Sequence, residues 1–76
     1  MDRTTDLGLA VFLEINGYEI FDINTQNPHL SIFLFKNPPE LESIINLFYE
    51  GKALVDPLKF LTGIKNLKSR IGEKKR

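Results

Sequence analysis

Seventy-six residues with 42% apolar side chains, eight aromatics, ten acidic and ten basic residues and no cysteine describe one small globular domain. That length leaves no room for a second domain, the apolar content is too high for a disordered chain, and the lack of cysteine excludes disulfide staples, thiolate nucleophiles and cysteine-ligated zinc. The formal net charge of zero conceals a polarity: residues 1–55 hold eight acidic and three basic side chains, residues 56–76 two and seven, so the C-terminal segment is +5 and the rest −5.

A first helix is expected from Asp6 to Asn16, with Thr4 or Thr5 as N-cap and Gly17 as the left-handed stop. Its apolar residues, from Leu7 to Ile15, spread around most of the circumference, which marks a central helix covered on more than one side. Two extended segments follow, Tyr18–Ile23 and Leu30–Lys36, and the Asn- and Pro-containing stretch between them reads as the loop of a β-hairpin. Along the second strand Leu30, Ile32 and Leu34 share one face, and Phe33 and Phe35 the other. Both faces are apolar, so either helices cover both or a second copy covers one.

Asn37-Pro38-Pro39-Glu40 reads as a helix start, with Asn37 as N-cap, Pro38 at the first helical position and Glu40 closing a capping box. This second helix presents Leu41, Ile44, Ile45 and Phe48 on one face and ends at Gly51. Asp56-Pro57 opens a third helix that runs to Ile71, with Phe60, Ile64, Leu67 and Ile71 as its core stripe, followed by a frayed tail from residue 72 to 76. The expected fold is therefore α+β, a single domain over residues 1–76 in the order αββαα, with one layer of two-stranded antiparallel sheet packed by helices.

Little in the chain points to catalysis. His29, the single histidine, falls in the hairpin loop outside any recognised catalytic context, and reads as a solvated loop residue. The carboxylates lack the clustering of zinc or calcium sites, and the five glycines form no phosphate-cradling loop. The expectation is a non-enzymatic protein with no catalytic residue, metal or cofactor.

Three features suit binding. Lys59, Lys65, Lys68 and Arg70 on the third helix, with Lys74, Lys75 and Arg76 after it, could contact the phosphates of DNA or RNA. Those four helical cations do not share one angle on the wheel, so the competing reading is a solvated helix whose long side chains bracket its buried stripe. Phe21, Ile23, Phe33 and Phe35 fall on one hairpin face in the simplest register, a face suited to core, to a dimer interface or to stacking bases. The hairpin edge offers a route to a homodimer through a four-stranded sheet. No apolar run approaches the roughly 18 residues that span a bilayer. The acidic residues in Met1–Asp6 differ from the basic opening of a secretory signal, so a cytoplasmic location away from membranes is expected.

Several short runs carry a resemblance: Thr5-Asp6-Leu7 with Leu9-Ala10, Gly17 ahead of a strand, Phe33-Leu34-Phe35, Phe48-Tyr49-Glu50-Gly51, Leu54-Val55-Asp56-Pro57 and Leu67-Lys68-Ser69-Arg70. Over residues 4–71 the chain resembles a family of small domains of unknown function found in bacteria, archaea and their viruses. The resemblance implies a compact helix, hairpin and helices domain and no particular activity. The leading expectation is a binding module that contacts nucleic acid through the basic C-terminal helix, on the strength of its +5 charge and of the family's occurrence in mobile elements; the alternative is a protein-interaction module, an inhibitor or adaptor of viral or mobile-element origin, that uses apolar hairpin or helix surface.

Overall fold

The computed structural model describes residues 2–36 and 40–75. The elements, in chain order, are β1 (Arg3–Thr4), α1 (Leu7–Ile15), β2 (Ile20–Asn27), β3 (Leu30–Phe35), α2 (Leu41–Tyr49) and α3 (Pro57–Lys74). The α+β class is as expected. The sheet, however, has three antiparallel strands in the order β1-β3-β2, where the sequence reading gave a two-stranded hairpin. The additional strand is two residues long, too short to show any alternation of apolar and polar side chains. It is held by pairing Arg3 with Leu34 and Thr4 with Phe33, and by the Phe35 N–H donating to the Asp2 carbonyl at 2.7 Å.

The use of Thr4 in a strand shifts the start of α1. Asp6, in extended backbone, is the N-cap and accepts from the Leu9 N–H at 3.1 Å, while the Thr4 hydroxyl accepts the N–H of Asp6 itself. Neither Thr4 nor Thr5 caps the helix. At the other end Gly17 takes a φ of 89°, and the Tyr18 N–H returns to the Leu13 carbonyl, a left-handed stop that suits a residue without a β-carbon. Leu9 through Leu13 are all buried, so α1 is central, packed among the sheet, α2 and α3.

The hairpin differs from the expected one in both turn and register. Strand β2 extends to Asn27, and the turn is confined to Pro28 and His29. Asn24 and Asn27 each accept a backbone N–H two residues on, from Gln26 and His29, so polar residues that suggest a loop from composition here support a strand end and a tight turn. Between Ile20 and Asp22 the pairing slips by one residue: Ile20 faces Phe35, but Asp22 faces Leu34 and Ile23 faces Phe33. The extra residue restores Ile20 and Ile23 to the same face although they are three apart, and turns Phe21 out of the set expected with Ile23, Phe33 and Phe35.

The core joins Ile20, Ile23, Phe33 and Phe35 of the sheet to Leu9–Leu13 of α1, Leu41 and Ile45 of α2, and Leu67 of α3. Phe60, Ile64 and Ile71 pack around it, as their spacing predicts. Leu30, Ile32 and Leu34 are not in this cluster; they alternate with Phe33 and Phe35 along β3, Leu30 exposed and Ile32 and Leu34 half-buried.

Helix α2 begins at Leu41 with Glu40 in the N-cap position, making no side-chain capping bond; Asn37, Pro38 and Pro39 of the expected capping box lie outside the described residues. Helix α3 opens as read, with Asp56 Oδ1 accepting the N–H groups of Leu58 at 2.8 Å and Lys59 at 3.2 Å and Pro57 in the first turn. It continues three residues past the expected end at Ile71, through Gly72, to Lys74. Tertiary contacts of Lys74 and Lys75 with the hairpin offset the weak helical preference of that glycine.

Candidate interaction surface on the third helix

The seven cations singled out from the sequence do not form one surface. Arg70 turns inward: its Nη1 donates to Glu14 Oε2 of α1 at 2.8 Å and its Nη2 to the Ile20 carbonyl at 3.4 Å. Lys74 donates to Asp22 Oδ1 of β2, a bond that lowers the pKa of the Asp22 carboxyl below the usual aspartate value. Lys75 donates to the Pro28 carbonyl in the hairpin turn at 3.1 Å. These three residues tie the C-terminal half of α3 to α1 and to β2. Two of the segment's seven cations, Arg70 and Lys74, thus meet carboxylates in the acidic part of the same chain. Arg76 lies outside the described residues.

Lys59, Lys65 and Lys68 are different. All three are exposed, and among the described residues none of them makes an ion pair. At 100° per residue Lys65 and Lys68 share a sector about 80° wide with Leu58 and Leu61, and Lys59 lies outside it. Leu58 is 73% exposed, Leu61 57%, and Leu54, in the segment leading into the helix, 95%. Leu58, Leu61, Lys65 and Lys68 follow one another at intervals of three, four and three residues, the spacing of a helix–helix seam. The first turns of α3 are thus apolar on the side that packs into the core and apolar again on the side that faces water. A solvated surface helix ordinarily has one apolar stripe.

The core stripe of Phe60, Ile64, Leu67 and Ile71 was legible from the sequence. The second stripe was not singled out, though its own spacing in the sequence marks it.

Leu58 also stands on the rim of an open groove of about 660 Å³ between α1 and α3, lined by Val11, Glu14, Ile15, Thr62 and Asn66 among others. Its two carboxylates are already engaged, Glu14 by Arg70 and Asp56 by the first N–H groups of α3.

Of the hairpin set, Ile23, Phe33 and Phe35 are buried in the core of a single chain and present no surface to a partner or a base. Phe21 is 56% exposed and Leu30 47%, both outside the core. His29 is exposed in the tight turn. Among the described residues no three His, Asp or Glu side chains are grouped so as to hold a metal ion, and no helix is long and apolar enough to cross a membrane.

The model of the family described as Domain of unknown function (DUF5659) matches residues 3–73, nearly the whole chain, and the chain belongs to that family. No match was found among curated proteins or among solved structures.

Proposed function

We propose that this member of the DUF5659 family is a non-enzymatic binding module that docks a protein partner on the water-facing side of α3, around Leu54, Leu58 and Leu61. The observation that carries this reading is the second apolar stripe. Leu58 and Leu61, both more than half exposed on the first turns of α3, and Leu54, exposed in the segment before it, leave apolar area in water that a partner would bury at a gain of roughly 25 cal/mol per Å². Such a module acts as an adaptor or inhibitor. Its proposed location is the cytoplasm.

Contact with DNA or RNA is the second reading, and it rests on Lys59, Lys65 and Lys68, the cations of α3 without an ion pair among the described residues. Three phosphate contacts would give weak binding that falls steeply with salt.

Affinity capture from native lysate, with the wild-type chain and with Leu58→Ser/Leu61→Ser as baits, separates the two. The proposal expects one stoichiometric protein on the wild type that is lost from the folded double variant. Fluorescence anisotropy with labelled single- and double-stranded oligonucleotides provides the contrary result: salt-sensitive binding that survives the leucine changes and disappears in Lys65→Ala/Lys68→Ala would transfer the function to nucleic acid.

A further inference from the structure

The stripe on α3 also constrains the partner's chemistry, and this step rests on the protein-docking reading above. From Leu58 to Lys68 the stripe is about 15 Å long at 1.5 Å per residue, or nearly three helical turns. Its spacing of three, four and three residues matches the row that a second α-helix meets when it packs at a shallow angle. The row changes character halfway: two leucines occupy the N-terminal half and two lysines the C-terminal half. Elsewhere on α3 the cations that approach another element find a carboxylate or a carbonyl, Arg70 at Glu14, Lys74 at Asp22 and Lys75 at Pro28, whereas Lys65 and Lys68 have no ion pair among the described residues.

A second copy of the same helix does not fit this row. Packed in parallel, it would set Lys65 and Lys68 against their own symmetry mates; packed antiparallel, it would set lysines against leucines and leave both uncompensated. We infer that the occupant is an acidic amphipathic helix of another protein, which places apolar residues on Leu54, Leu58 and Leu61 and two carboxylates against Lys65 and Lys68. The leucines supply most of the affinity, and the lysines fix direction and register, because a reversed helix would bring its carboxylates onto the leucines.

The probe is a pair of synthetic helical peptides of three to four turns with the same leucine row, one carrying glutamates and the other lysines at the two seam positions that follow it. The isotope-labelled 76-residue chain is titrated with each and followed by NMR. The acidic peptide is expected to shift the amides around Leu58, Leu61, Lys65 and Lys68 and to bind at least about tenfold more tightly than the basic one, a preference that weakens with salt. Lys65→Glu/Lys68→Glu, both exposed positions, should invert that order without unfolding the chain. Equal binding of the two peptides at this face would overturn the acidic partner and leave the docking surface standing. Shifts centred on Phe21, Leu30 and the outer sheet face, or binding by neither peptide, would overturn both. Oligonucleotide binding that competes with the acidic peptide and exceeds it in affinity would assign the lysines to phosphate.

Discussion

A β-carbon at position 63 of α3 would lie 2.6 Å from Val11 Cγ1 of α1, so Gly63 marks a close approach of the two helices. Val11 is fully packed and, being β-branched within a helix, has essentially one side-chain rotamer, so it cannot swing aside. Gly63→Ala should therefore destabilise the protein by about 1–3 kcal/mol despite the better helix propensity of alanine. Gly72, which has open space around it in the same helix, should tolerate alanine or gain slightly. Denaturant unfolding of the two variants checks the contrast; equal effects would contradict the close crossing.

Arg70 and Lys65 are both cations of α3, but only Arg70 is tied to α1 and β2. Arg70→Ala should cost about 1 kcal/mol, the usual worth of a partly exposed charge-assisted bond, and Lys65→Ala should stay within about 0.5 kcal/mol of wild type. Urea midpoints measured at low salt make the comparison. An Arg70 variant as stable as the Lys65 variant would show that the Glu14 contact holds nothing together.

Phe33 and Phe21 separate the two faces of the sheet. Phe33→Asp places a charge in a fully packed core and should unfold the domain, at a cost above about 4 kcal/mol. Phe21→Asp, at the bulge and 56% exposed, should leave the circular dichroism spectrum and melting temperature nearly unchanged. A folded, monomeric Phe33→Asp protein obtained from a dimeric wild type would move that face from core to interface.

Two groups link stability to pH. Lys74 donates to Asp22, and that bond holds the Asp22 pKa below its unfolded value. The contribution is complete above the unfolded pKa and is lost as pH falls through the folded one, so Asp22→Asn should flatten part of the acid limb. Tyr49 behaves oppositely: partial desolvation first, then the charge of Asp6 and the 3.2 Å bond its hydroxyl donates to Asp6, raise its pKa. Stability from this link persists below the unfolded tyrosine pKa and fades as pH climbs through the folded value. Thermal melts from pH 2 to 11 on Asp22→Asn and Tyr49→Phe would display each loss separately; wild-type curves for both would remove the two groups from the account.

The helices were legible in the sequence where local rules suffice: Gly17 and Gly51 as stops, Asp56-Pro57 as a start, and the stripe from Phe60 to Ile71 as core. What eluded it depended on other parts of the chain. Arg3–Thr4 is a strand only because β3 offers an edge, and the bulge at Phe21 arises from pairing with Leu34 and Phe35. The fate of the cations was hidden for the same reason, since the partners of Arg70, Lys74 and Lys75 lie roughly fifty positions away in sequence. A linear count of charge made one basic segment of what the fold divides into a clamp and a stripe.

The most direct test of the α3 surface is site-specific photocrosslinking in native cells, with a photoreactive phenylalanine analogue at position 58 in one variant and at position 21 in another. The docking account predicts a single protein adduct from position 58 and none from position 21. An adduct from position 21 alone, or from position 58 only to nucleic acid, would contradict it.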